Sequence, residues 1–270
     1  MPAQDSTDHS EDLELLRHSD LVIVGQLRWS SNATFLCELW PQGTRPDAGL
    51  KGDGNEEENE VESDGKRDGD SNDEPLGRAI YKPHRGEQPL WDFPDGLYRR
   101  EVAAFELAQA IGWDLIPPTV ERDGPFGIGS VQLFIDADFS QHYFELRDRA
   151  ELHDQLKRLC AFDFVANSTD RKGGHVLVDD DGHIWGIDNG LCLHSEFKLR
   201  TVIWDFAHEP LDISLVEDLE RFVEKPLPPY LEKLLNPLER DGLSARVQAL
   251  IAGGHFPNDP SGRRVPWPLV

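Results

Sequence analysis

Basic residues are scarce in this chain: 27 Lys and Arg stand against 51 Asp and Glu among 270 residues, a formal charge of −24. So negative a surface repels DNA, RNA and anionic bilayers, whose binding rests on basic contacts, and no nucleic acid or stable membrane association is expected. Hydrophobic residues make up only 38%, and no apolar run approaches the ~18–20 residues of a membrane span. The first residues, MPAQDSTDHSEDLE, lack both the basic start and the apolar stretch of a secretory signal. Cysteine is nearly absent. Cys37, Cys160 and Cys192 are far apart and odd in number, which suits reduced thiols in the cytoplasm better than a disulfide framework. The length suffices for one large or two-lobed domain with its own core, so no staple is needed. Familiar signatures are missing too. No Cys/His cluster has zinc spacing, no serine sits in G-x-S-x-G, and Asp179-Asp180-Asp181-Gly182 lacks the spacing of a calcium loop. Gly124, Gly127 and Gly129 do not spell G-x-G-x-x-G, and a hairpin turn explains them better.

What is present is unevenly distributed. Residues 1–12 are polar and read as frayed. LVIVGQL and TFLCEL, joined by RWSSNA, read as a β-hairpin over 21–39. Asp47 to Glu74 then holds 12 acidic and 3 basic residues and no aromatic. That composition cannot bury enough apolar surface to offset chain entropy, so an acidic, disordered insertion is expected at about 41–77. Removing Asp47–Glu74 (net −9) and residues 1–14 (net −5) still leaves −10. RAIYKP is a short strand ended by Pro83. Val102, Phe105, Ala108 and Ile111 keep helical spacing before Gly112. PPTVERDGPFGIGSVQLFI reads as two strands, 150–166 as a helix, and HVLVDDDGHIWGID as a hairpin turning at Asp181-Gly182. Beyond 211 the pattern is helical and ends in a Pro-rich tail. The expectation is an α+β fold in two lobes. Residues 1–135 form a β-rich N-lobe with one helix, 136–255 a mainly helical C-lobe, and 256–270 the tail.

Four stretches carry the chemistry, in one order: SSNATF at 30–35, YKP at 81–83, Glu101 in its helix, and STDRKGGHVL at 168–177 followed by GIDNG at 186–190. Phosphoryl transfer needs such parts. A turn between strands can offer backbone N–H groups to phosphates. A strand lysine neutralises phosphate charge, and a helix glutamate holds that lysine. A loop aspartate positions the attacking hydroxyl and accepts its proton. A second aspartate at the end of a hairpin holds Mg²⁺. Taken alone, Asp170-Arg171 would more often be a surface ion pair and Asp188-Asn189-Gly190 an ordinary turn. The ordered set is what gives them weight.

These stretches resemble the phosphatidylinositol 3-/4-kinase-like branch of the protein-kinase fold, and in particular its small bacterial, actinobacterial members. IYKPHRGEQP is similar to the lysine strand of type II phosphatidylinositol 4-kinases, in which a KP pair is followed by an acidic residue and a proline. NSTDRKGGHVL resembles their N-T-D-R loop, and GIDNG their I-D-N-G metal motif. The likeness spans roughly residues 20–195 without the acidic insertion.

The resemblance implies a two-lobed protein-kinase-like fold and ATP-dependent transfer of the γ-phosphate, with Mg²⁺ as cofactor. Lys82 would bind the α/β-phosphates with Glu101 as its partner. Asp170 would be the catalytic base, Asp188 the main metal ligand, and Ser30, Ser31 and Asn32 the phosphate loop. One position departs: where the family carries a metal-binding Asn, five residues after the catalytic Asp, this chain has His175. Imidazole suits a softer ion such as Mn²⁺ better than Mg²⁺. His175 could alternatively contact phosphate or only support the loop. Asn189 offers a replacement oxygen. A protein or soluble metabolite hydroxyl is the expected acceptor. A pseudokinase that binds nucleotide or a partner, and an AMP transferase on the same fold, are the alternatives.

Overall fold

A computed structural model of the chain describes residues 8–27, 32–44 and 74–270. Most of the expected acidic insertion, and Ser30 and Ser31 of the first turn, lie outside the described residues.

The first lobe is a five-stranded antiparallel sheet. Its strands are β1 (Asp20–Gln26), β2 (Phe35–Trp40), β3 (Gly77–Pro83), β4 (Thr119–Gly124) and β5 (Gly127–Leu133), in the order β1-β2-β3-β5-β4. Alternation explains its inner face: Cys37 and Leu39, Ala79 and Tyr81, and Val120 and Val131 share one small core. Helix α1 (Ser10–His18) closes that core with Leu16. This corrects the expectation of a frayed start at least from His9 onward. Leu13, Leu15 and Leu16 give the segment an apolar side, and buried His9 bonds Asp114 at 2.8 Å. Helix α2 (Leu97–Ile111) crosses behind the sheet and stops at Gly112, whose φ of 90° suits glycine.

The second lobe is mainly helical. It holds a one-turn α3 (Tyr143–Leu146), α4 (His153–Ala166), α5 (Ile213–Val223), α6 (Pro229–Leu234) and α7 (Pro237–Gly253). Between α4 and α5 lies a small hairpin, β6 (Val176–Val178) and β7 (Ile184–Gly186), turning at Gly182 with φ 79°. Phe105 and Leu107 of α2 join Leu156, Leu159, Leu219 and Val247 in one large core, so α2 belongs to both lobes by packing. The α+β, two-lobed architecture is thus the one that the sequence pattern implies. None of the helices among the described residues is long and apolar enough to cross a membrane.

Candidate functional site

Lys82 lies on β3 between Tyr81 and Pro83, both buried, and so projects from the opposite face of the strand. Register fixes it there: Lys82 pairs with Ser130 and Pro83 with Gly129. Its ammonium donates to Glu101 of α2 and, at 2.7 Å, to Asp188 Oδ1 beyond β7. Burial alone would lower the pKa of this lysine. The carboxylates of Asp188 and Glu101 outweigh that effect and hold it above the ordinary range.

Glu101 is itself held from two sides. Its Oε2 accepts the Asn189 N–H at 2.8 Å, so it bridges the N-lobe lysine and the segment after β7. The start of its helix is fixed by Glu87, whose carboxylate accepts the N–H groups of Gly96, Leu97 and Tyr98 at 2.6–3.1 Å. These are unsatisfied donors at a helix N-terminus, where negative charge is also favourable. Asn32 lies nearby; its Oδ1 accepts the Gln88 N–H at 2.8 Å, and Ala33 N donates to Gly86 O at 3.0 Å. A Cβ on Gly86 would come 2.4 Å from that of Ala33, so only glycine lets the two loops meet this closely.

Asp170 follows α4 in the loop 167–175. Burial pushes its carboxyl up, and the Lys172 ammonium at 3.1 Å pulls it back down. Asp188 has the opposite balance. The Lys82 charge, working against burial, holds its carboxyl well below the usual range. Asp188 adopts φ 56°, uncommon for a non-glycine residue and a form of strain that clusters at functional sites. Asn32, Thr34, Lys82, Glu101, Asp170 and Asp188 line one cleft between the lobes.

His175 Nε2 lies 3.3 Å from Asp188 Oδ2. Its Nδ1 is 3.0 Å from the Asp170 carbonyl oxygen and 3.4 Å from Lys172 N. The shorter contact favours the tautomer in which Nδ1–H donates to the carbonyl, leaving the Nε2 lone pair toward Asp188. Two ligands of one divalent ion, each at about 2.1–2.2 Å, stand about 3 Å apart. The pair therefore fits a metal, and burial keeps the ring neutral by pushing its pKa down to about 4.

Asn189 is the residue that the structure turns away. Its Oδ1, expected as a metal ligand, accepts from Arg171 Nη2 at 2.6 Å, and its Nδ2 donates to Gly186 O. The cause is Arg171, which is not a surface cation but 2% exposed. Its Nε donates to Asp163 of α4, which is fully buried, and its Nη1 to Ile187 O at 2.6 Å. One guanidinium thus ties α4, the Asp170 loop and the Asp188 segment together. The signal was the CAFDFVA stretch, an acidic residue inside an apolar helix face, which calls for a buried partner. Glu87, Lys172 and Arg171 are the supporting residues that sequence reasoning missed.

No protein-family model matches the chain. Among solved structures it resembles hydra Fam20, solved with a sugar, at a TM-score of 0.50 and 12% identity, over 93% of this chain and 90% of that one. That likeness shows the fold, which is protein-kinase-like and two-lobed. The Helicobacter pylori proinflammatory kinase CtkA aligns at a TM-score of 0.43 and 10% identity, over 89% and 94% of the two chains. Among curated proteins, Protein Rv2133c of Mycobacterium tuberculosis (strain ATCC 25618 / H37Rv) is 33% identical over 291 aligned positions, 94% of either chain. Identity at that level over nearly the full length of both chains shows that this chain belongs to the family of Protein Rv2133c.

Proposed function

We propose that the chain is an ATP-dependent phosphotransferase of the phosphatidylinositol 3-/4-kinase-like kind, acting on a hydroxyl of a protein or a soluble metabolite. The observation that carries this reading is Lys82, bonded at once to Glu101 and Asp188 in a cleft that also holds Asp170. Lys82 binds the α- and β-phosphates of ATP, and Glu101 keeps its ammonium aimed at them. Asn32, at the edge of the same cleft, contacts the phosphates. Asp170 accepts a hydrogen bond from the acceptor hydroxyl, orients it, and takes its proton as the γ-phosphate transfers. Burial pushes the Asp170 carboxyl up, and the Lys172 ammonium beside it opposes that push. Asp188 and His175 would hold Mg²⁺ or Mn²⁺, which would supply positive charge to neutralise the phosphates.

One observation favours a second reading, a nucleotide-binding module without transfer. With Asn189 committed to Arg171, the side-chain donors next to Asp188 reduce to one carboxylate and one imidazole, few for two hard ions. Calorimetry with ATP and either metal tests nucleotide binding itself. The wild type should bind, and Lys82→Ala should bind about 10- to 100-fold more weakly, the scale of a lost charge-assisted hydrogen bond. No binding by the wild type with either metal would remove both readings.

A further inference from the structure

Arg100 precedes Glu101 on α2, and consecutive helical residues point about 100° apart. Glu101 therefore turns toward Lys82 while Arg100 turns into the second lobe. There its Nη1 donates to the Cys192 carbonyl at 2.5 Å, and its Nη2 donates to the Glu239 carboxylate. The Cys192 thiol returns a contact of 3.6 Å to the Arg100 carbonyl. The segment 189–192 is thus fastened to α2 at both ends, by Glu101 at the Asn189 N–H and by Arg100 at Cys192. Glu239 is no loose partner. Its Oε2 accepts from Asn236 N at 2.9 Å, and Asn236 Oδ1 accepts from Glu239 N at 3.0 Å. This reciprocal cap sets the carboxylate rigidly on the first turn of α7.

Arg100 and Glu239 have side chains only 8% and 6% exposed. A buried ion pair contributes little net stability, because desolvation offsets attraction; its best-attested use is to fix register. Here the register is that of α2 against α7 and the segment leading away from Asp188. We propose that Arg100 is a positioning residue: it pins α2 so that Glu101 meets Lys82 and the Asn189 N–H, and so that Asp188 stands beside them. Its consequence for nucleotide affinity rests on the phosphotransferase reading; its consequence for the segment 189–192 does not.

The test combines amide hydrogen exchange with Mg²⁺-ATP affinity. The proteins are the wild type, Arg100→Met, Glu239→Gln, Glu101→Gln and the Arg100→Met/Glu101→Gln double variant. Arg100→Met should raise exchange across 187–193 by about tenfold or more, the scale of losing a charge-assisted hydrogen bond, with β4 and β5 unchanged as internal reference. It should weaken ATP binding about as much as Glu101→Gln. The double variant should be no weaker than Glu101→Gln alone, because residues that act through one another are not additive. Glu239→Gln keeps the volume and should give the same pattern at smaller size, whether or not Arg100→Met folds. An equal rise in both lobes, no rise at 187–193, or additive losses would overturn the proposal. Absence of ATP binding in the wild type would instead remove the phosphotransferase reading, and the exchange result alone would then decide on Arg100.

Discussion

His175 carries a pH signature that separates it from its neighbours. In the native state burial pushes its pKa down to about 4, against the pull of Asp188, from an ordinary 6.5. Between those values the unfolded chain binds a proton that the native chain refuses. The contribution of His175 to stability therefore falls as pH drops from 6.5 to about 4, with a slope of up to about 1.4 kcal/mol per pH unit. Asp188 does not confuse this window. Its carboxyl is held below the usual range, so its contribution is present above the ordinary carboxylate pKa and is lost only in stronger acid. His175→Gln should flatten the midpoint of thermal unfolding against pH over this window in metal-free buffer; a curve parallel to that of the wild type would contradict the buried, neutral assignment. Arg171 is the other residue whose loss should be plain. Arg171→Ala leaves Asp163 charged and buried, and should cost about 3–5 kcal/mol in denaturant unfolding.

At the scale of elements, β3 and α2 carry the site, and both depend on positions with no chemistry of their own. A Cβ at Gly129 would lie 2.4 Å from the Lys82 carbonyl. Gly129→Ala should therefore push β5 from β3 just where Lys82 is held, destabilise by about 1–3 kcal/mol, and weaken ATP binding as well. A stability loss without loss of binding would show that this register does not set Lys82. Such contacts explain what the sequence could and could not show. The three hairpins, β3, α2 and α4 were legible through period-two or 3.6 apolar spacing, with Pro83 and Gly112 marking the ends of β3 and α2. Lys82, Glu101, Asp170 and Asp188 stood out because each is an ionisable residue in an ordered set of short motifs. The commitments of Glu87 and Asn189 were not legible, since each is decided by a partner that only the folded loops bring near, and for Arg171 the one signal was Asp163 inside an apolar helix face. Helix α7 starts at Pro237, where Asn236 and Glu239 form a capping box.

Over the whole molecule, two features frame the chemistry. The surface is strongly acidic, at −24 overall, so vesicles rich in anionic lipid should fail to sediment the protein at physiological salt. Robust sedimentation would point to a lipid acceptor and against a soluble one. The two lobes, for their part, are joined around the cleft by α2, which packs with both, and by Lys82, which reaches from the N-lobe to Asp188 in the other. On the proposed phosphotransferase reading the two aspartates do different work, Asp188 with the nucleotide and Asp170 with the acceptor. The most direct test measures metal-dependent ATP affinity and turnover together for the wild type, Asp188→Ala and Asp170→Asn, with protein and metabolite hydroxyls supplied as acceptors. Asp188→Ala should lose both affinity and turnover. Asp170→Asn should keep its affinity and lose about 10²–10⁴-fold in turnover, the usual scale for a positioned base. Turnover at background in the wild type, unchanged by Asp170→Asn with either Mg²⁺ or Mn²⁺, would contradict the phosphotransferase account.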